Sequence, residues 1–297
     1  MPTAFTKLVG ALVIALSCLV AGIAWSQLAA TSISTGRKDG NYFEIGKRLQ
    51  SAMLVERNLN VRVETSSGSI QNLARLAEAS SPVGLALTQS DALSGFIRSN
   101  PEFADDFIVL ADAGKECVIL IAGKKHGVAS FSQLESTPGT EISVDDLGSG
   151  ASATFDHLRA MEPALRKTKP VFVDTVEAML QVKMGGAHTQ LRAVMLVQRP
   201  SALTPPIKIL LDNANDYQLV PIRETDIQNA KLPDDSVVYT FEKVSIGPGQ
   251  GSAALEVETI CTRSLLLASK AKLDRNMRSQ LSHVMLNSSK SIIGKGE

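Results

Sequence analysis

Three successive apolar strands at the start of the chain each end in a turn rich in glycine, serine or threonine. The first belongs to Ile33–Leu49, ISTGRKDGNYFEIGKRL. There Gly36 and Gly40 bracket Arg37, Lys38 and Asp39, and Tyr42, Ile45, Leu49 and Ala52 then recur at the spacing of one helix face. In the second, NVRVET at 60–65 alternates as a strand, and Ser66-Ser67-Gly68-Ser69 leads into Ile70, Leu73, Ala74 and Ala77 at helical spacing. The third is the buried-type run Val83–Leu87, which ends in Thr88-Gln89-Ser90-Asp91. Strands joined by helices pair in parallel, and their turns then lie along one sheet edge, where such folds bind ligands. A helix beginning at that edge offers unbonded N–H groups and a positive dipole end, which suit a carboxylate or phosphate. An ordinary βα turn also needs such glycines, and the serines at 66–69 equally suit capping of the helix they precede.

The pattern returns about a hundred residues on. Glu141–Asp145 reads as a strand, Gly148-Ser149-Gly150-Ala151-Ser152-Ala153-Thr154 as the turn, and Phe155, Leu158 and Met161 as a helix face. Two similar lobes are expected, each offering a helix N-terminus. Between them, Asp106–Gly123 holds two apolar runs, FIVLA and CVILIAG, around Gly114-Lys115-Glu116, and Phe131 with Leu134 marks a short helix. Further on, Val171–Val173, Leu191–Val197 and Leu219–Ile222 read as strands. Val176–Met184 is a helix stopped by Gly185-Gly186, and Pro205–Asn213 is a helix with a proline start. Residues 233–252 are turn-rich, Leu255–Ser269 is long enough to cross back between lobes, and Leu273, Met277, Leu281, Val284 and Met285 share a face of a terminal helix begun near Asp274.

The first residues have the layout of an export leader. Lys7 supplies positive charge, Leu8–Leu19 an apolar core, and Ala24-Trp25-Ser26 small residues at the positions a signal peptidase reads; a second cut site follows Ala30. A leader of residues 1–26 and a periplasmic protein are expected. The apolar run to Trp25 sits at the lower limit of a membrane span, so an uncleaved anchor is the alternative. Ala15-Leu16-Ser17 is a poor approach to Cys18 for lipidation. Cleavage removes Trp25, the chain's one tryptophan, and with 4% aromatic residues a stacking platform for sugars is disfavoured. A net charge of zero over 297 residues gives no footprint for nucleic acid, and the length suits two domains. Cys117 and Cys261 lie in apolar runs that read as strands. Export permits a bridge, but two buried thiols are the expectation.

The ordered set ISTGRKDGNYFEIGKRL, VETSSGSIQNLARL, VGLALTQSDAL, EISVDDLGSGASATFDHL and SIGPGQGSAALEVETI resembles the TAXI group of TRAP-transporter solute-binding proteins, over nearly all of the mature chain. The resemblance implies a two-lobed α/β periplasmic binding fold of type II-like organisation. Each lobe would be a mixed, mostly parallel sheet flanked by helices, and hinge strands would join them. Lobe 1 is drawn at 27–120 plus 262–297 and lobe 2 at 121–261. It further implies a ligand, expected to be a small anionic solute, taken in the cleft and handed to the membrane subunits of a sodium-driven TRAP permease; a monomer without catalysis or cofactor is expected. Amino acids such as glutamate and small organic acids are the solutes linked to that group. The chain departs from the group's pattern at Arg37-Lys38, where small residues and glycine are common, and at AVMLVQRP, where an aromatic-rich strand is frequent.

The ligand-binding residues expected are Thr35, Gly36, Asn41 and Tyr42 from the first turn, Ser67, Gly68 and Ser69 from the second, and Gln89 and Ser90 from the third. Ser149, Gly150, Ser152 and Thr154 come from the second lobe. These would give hydroxyl and amide donors to a carboxylate. Arg37, Lys38 or Arg199 would pair with a second acidic group, a bond that contributes roughly 1.5–3 kcal/mol when sheltered and little when exposed. One enzymatic rival exists. Gly148, Gly150 and Ala153 match the dinucleotide fingerprint, with Asp174 at a strand end beyond. Export, the mid-chain position and the serines favour the receptor, and a non-transport ligand sensor using the same lobes is a third reading. His126, His157, His188 and His283 are scattered without metal-ligand spacing, and no G-x-S-x-G elbow occurs. The doublets Asp105-Asp106, Asp145-Asp146 and Asp234-Asp235 suit helix starts and turns; the second borders the glycine loop, where a cation is an alternative.

Overall fold

The computed structural model describes residues 31–125, 127–185, 190–223, 227, 230–232, 235–247 and 254–294. The expected leader 1–26, His126, His188, Asp234 and the glycine turn beyond Gly247 lie outside them. No helix among the described residues is long and apolar enough to cross a membrane.

The chain begins as β1 (Thr31–Ser34), α1 (Asn41–Arg57), β2 (Val61–Glu64), α2 (Ser69–Ala77), β3 (Val83–Gln89) and α3 (Ser90–Ser99). A long strand β4 (Phe107–Gly123) and the short α4 (Phe131–Ser136) follow. Next come β5 (Glu141–Ser143), α5 (Gly150–Met161), β6 (Lys169–Val171), α6 (Thr175–Met184), β7 (Leu191–Gln198), α7 (Pro205–Asp212) and β8 (Tyr217–Leu219). The chain closes with β9 (Tyr239–Ile246), β10 (Leu255–Ser269) and α8 (Arg275–Ile293). One ten-stranded sheet runs β2-β1-β3-β10-β4-β7-β5-β6, with β8 added to β4 and β9 to β10. Its two outer trios, β2-β1-β3 and β7-β5-β6, are parallel. The junctions of β10 with β3, β10 with β4 and β4 with β7 are antiparallel. Both trios put the first of their strands in the middle, so the two halves share one wiring, as the repeated sequence pattern predicts.

Burial explains the local choices. All of β3, VGLALTQ, is buried, as a parallel strand covered on both faces must be. Ile45, Leu49 and Met53 of α1 pack with Ile33 of β1 and with Leu281 and Val284 of α8 in one core cluster. Truncating Leu49 there would cost roughly 2–5 kcal/mol. A second cluster under β7 joins Ile119 and Ile121 of β4 to Met179 of α6 and Tyr217 of β8, whose hydroxyl donates to the Met179 carbonyl at 3.0 Å.

Several sequence expectations change. The two apolar runs around Gly114 are one strand, kept continuous by Gly114 at φ 108° where the pairing with β10 shifts register. The buried face of α2 is Ser69, Asn72, Leu73 and Leu76, while Ile70 stays 40% exposed, because Asn72 is drawn inward by main-chain carbonyls. Part of the turn-rich stretch is β9, an alternating strand paired along β10. The last strand of the second half is Tyr217–Leu219 rather than 219–222, and the terminal helix continues to Ile293. The expectation of two thiols is corrected. Cys117 and Cys261 are opposed in the β4–β10 register and form a disulfide with 3.9 Å between their Cα atoms.

Candidate functional site

The strand ends of the two trios meet. A Cβ on Gly68, at the start of α2, would lie 2.6 Å from the Gly148 carbonyl oxygen, and one on Gly148 would lie 3.4 Å from Ser67 Oγ. Gly68 itself has φ 145°, so a side chain there is excluded both by its backbone and by its neighbour. A Cβ on Gly150 would meet the Gln89 amide at 2.8 Å. Arg37 reaches over the same seam. It holds Asp39 at 3.2 Å and lies 3.9 Å from both Asp145 and Asp146, with its side chain 54% exposed. Bonding to Asp39 raises the guanidinium's affinity for its proton, while burial raises Asp145 against the pull of Arg37. Such exposed contacts contribute roughly 0–1 kcal/mol.

Beneath the seam is a sealed polar cluster. Glu116 of β4 is 7% exposed. Its Oε2 accepts from Tyr42 Oη at 3.1 Å and from Gln89 Nε2 at 3.2 Å, and Tyr42 Oη is also 3.2 Å from Ser264 Oγ of β10. Burial pushes the Glu116 carboxyl up to about 7, although the bonds from Tyr42, Ser264 and Gln89 each favour its ionised form; Asp91 adds to the rise. Burial also holds the Tyr42 phenol well above its ordinary value. Two polar atoms here are buried without a hydrogen-bond partner among the described residues, Gln89 Oε1 and Asn41 Nδ2.

A second cluster bridges the halves. Asp91 of α3 accepts from Thr154 Oγ1 of α5 at 2.6 Å and from Tyr239 Oη of β9 at 3.0 Å. His157 Nδ1 is 3.0 Å from the same Tyr239 oxygen. Burial lowers the His157 pKa, partly offset by Asp91.

Most expected residues come to this region in distinct roles. Tyr42 and Gln89 belong to the Glu116 cluster, Asn41 precedes Tyr42 at the start of α1, and Ser67, Gly68, Gly150 and Arg37 line the seam. Gly36 is buried at the end of β1 and accepts from the Ser66 amide. The hydroxyls are already engaged. Thr35 Oγ1 donates to the Glu64 carbonyl at 2.9 Å, and Ser69 Oγ accepts from the main-chain N–H of Gln89 at 3.2 Å. Ser90 Oγ is 2.7 Å from Thr262 Oγ1, and Ser152 Oγ accepts from the Gly148 amide at 3.4 Å. Ser149 caps α5, accepting from the Ser152 amide at 3.2 Å and donating to the Val144 carbonyl at 3.0 Å. The serines at 66–69 do not cap α2 with a side chain; its N-cap is Gly68. Arg199 does not join the group. Its Nη2 donates to the carbonyls of Ala113 and Ile293, at 2.9 and 3.2 Å, tying β4 to the terminal helix.

Sequence reasoning missed Glu116, Asp91 and Asn72. Asn72 links the ends of β1 and β3, accepting from Ser34 Oγ at 2.6 Å and donating to the carbonyls of Thr35 and Leu87. The available signal was a lone carboxylate at the mouth of an apolar run, Glu116 before CVILIAG. Asp174, the acidic partner in the dinucleotide reading, caps α6 through the amides of Val176 and Glu177.

Comparison with known proteins gives the same architecture. XAC2383 from Xanthomonas citri bound to ATP aligns over 88% of this chain and 84% of its own, with TM-score 0.50 and 12% identity. The chloride-bound form of that protein aligns over 87% and 83%, with TM-score 0.51 and 10% identity. A structure described as a periplasmic transporter aligns over 90% and 85%, at 0.49 and 14%. At these identities the likeness is one of fold. No curated protein matches the chain. The NMT1-like family matches residues 33–292, nearly the whole of the described sheet and its helices, and the chain belongs to that family.

Proposed function

We propose that this protein is an extracytoplasmic solute-binding receptor, of the TAXI type, that delivers a small acid to a TRAP-type permease. In this reading it is exported to the periplasm, acts as a monomer and performs no catalysis. Lobe 1 is 27–120 with 262–297 and lobe 2 is 121–261. The boundaries fall in β4 and β10, beside the Cys117–Cys261 bridge, so those strands serve as the hinge. The observation that carries the reading is the convergence of turns far apart in sequence, Gly68 on Gly148 and Gln89 on Gly150, over a buried polar cluster. A ligand that bridges the two mouths favours the closed arrangement over an open one, because it gains its second set of contacts only on closure. The ligand's carboxylate is received by the N-termini of α1 and α2, and the permease recognises the closed shape. Support also comes from the solved structures aligned above, one of them described as a periplasmic transporter.

The dinucleotide enzyme is less favoured. In this conformation Gly148 and Gly150 are covered by Gly68 and Gln89, and Asp174 is occupied as a cap. The test is a thermal-shift screen of the protein against amino acids and C4–C6 organic acids. A binder at 100 times its Kd adds about 2.7 kcal/mol and a clear rise in melting temperature. No response to any acid, together with retention of NAD or NADP on purification, overturns the receptor.

A further inference from the structure

We infer that Asp91 latches the two halves together through contacts that need no solute, so that the free protein rests closed and a solute binds by way of its brief openings. The inference goes beyond the receptor reading, which says what closure holds; this one says what holds closure. Its first support is a buried charge shared across the boundary. Asp91 of α3, in the first half, is fully buried. Its carboxylate accepts from the neighbouring Ala92 amide at 2.8 Å and takes two further donors from the second half, Thr154 Oγ1 at 2.6 Å and Tyr239 Oη at 3.0 Å. A carboxylate out of water depends on such donors. The same side of α3 repeats the pattern one residue before and three after. Ser90 Oγ donates to the Val238 carbonyl at 3.1 Å, and Ser94 Oγ donates to the Lys231 carbonyl at 3.2 Å.

The second support is apolar and independent. Bodies that part freely keep separate cores. Here Ala92 and Leu93 of α3 lie in one core cluster with Phe155 and Leu158 of α5. The buried apolar surface is thus continuous from one half to the other, and opening returns part of it to water at a cost. Each of these contacts joins protein to protein, so the latch acts whether or not a solute is present. With the closed form already dominant, little affinity is lost in selecting it.

The experiment is small-angle X-ray scattering of the protein without added solute, for the wild type, Thr154→Ser and the double variant Thr154→Val/Tyr239→Phe. The wild type should scatter as the closed structure does, with an open fraction of at most about 10%. The double variant deprives the Asp91 carboxylate of both donors from the second half, a defect that opening to water relieves. Its ratio of open to closed molecules should rise by at least about a hundredfold, and its radius of gyration with it. Thr154→Ser keeps the hydroxyl and should scatter as the wild type. A purely structural role would lower the melting temperature of the double variant and leave its radius of gyration unchanged; that outcome overturns the latch. A free wild type with a radius of gyration above that of the closed structure overturns it too. Circular dichroism checks that the double variant folds; if it does not, the wild-type scattering decides. No solute enters these measurements, so the latch stands or falls separately from the thermal-shift test of the receptor.

Discussion

The two parallel trios share their wiring but differ in how the helices between their strands begin. In the first, the N-caps of α1, α2 and α3 are Gly40, Gly68 and Gln89, and none gives a side-chain hydrogen bond to its helix. In the second, Ser149 caps α5 and Asp174 caps α6 through their side chains, while the N-cap of α7, Thr204, makes no such bond. At α3 other side chains take this place, since the Asp91 amide donates to Thr262 Oγ1 at 3.4 Å and the Ala92 amide to Asp91 Oδ1 at 2.8 Å, which leaves the starts of α1 and α2 as the uncapped ends. The halves are thus duplicated in architecture and divided in labour. The first half holds Tyr42 and Gln89 around Glu116; the second brings Gly148 and Gly150 against them.

The largest effect that can test the division comes from the bridge between the halves. Replacing Cys117 and Cys261 with serine, which opens a crosslink spanning 144 residues, should cost about 4 kcal/mol. Urea unfolding with and without reductant measures it. If the halves were independent units, the reduced protein would unfold in two transitions; one cooperative transition is expected.

Next in size is the buried carboxylate of the first half. The rise of Glu116 from 4.5 to about 7 corresponds to roughly 3 kcal/mol. The folded protein holds a proton that the unfolded chain releases between these values. The stabilisation is therefore full below pH 4.5 and is lost as pH rises through 7. In Glu116→Gln that slope should disappear from a pH series of unfolding midpoints, and its persistence would mean that another group titrates.

The smallest effect separates the two kinds of helix end. Ser149→Ala and Asp174→Ala should each lose about 1 kcal/mol of stability, with solute affinity nearly unchanged. Asn41→Ala removes an amide nitrogen that has no partner among the described residues, so stability should move by under about 0.5 kcal/mol while solute binding weakens. Thermal melts beside calorimetric titration distinguish the patterns, and a stability loss in Asn41→Ala as large as in Ser149→Ala would erase the contrast.

Local features were legible where one stretch of chain holds the whole cause. The run VGLALTQ is apolar enough to require a strand covered on both faces, and the spacing of Ile45 and Leu49 requires a helix. Asp274 was readable as a helix start because its cap bond, to the Met277 amide, closes within three residues. The strand β9 was not readable. Its polar outer positions and neighbouring turn residues resemble a loop until β10 supplies hydrogen bonds along its length.

The site divides in the same way. Glycines 68 and 148 announced themselves, since their turns need them. That they touch each other depends on the sheet bringing β2 and β5 ends to one seam. Arg199 has the composition of a ligand contact and is claimed instead by two carbonyls distant in sequence. Cys117 and Cys261 became partners only through the register of β4 on β10.

By itself, then, the order of residues determined the duplicated strand–turn–helix units and the positions of their mouths, because backbone geometry and apolar periodicity are local. Only the tertiary structure decided which hydroxyls were already bonded, which amide oxygen was left without a donor, and that a carboxylate would be shut in among them. Burial and hydrogen-bond satisfaction are sums over neighbours, and those around Glu116 come from separated segments of the chain, at Tyr42, Gln89 with Asp91, and Ser264.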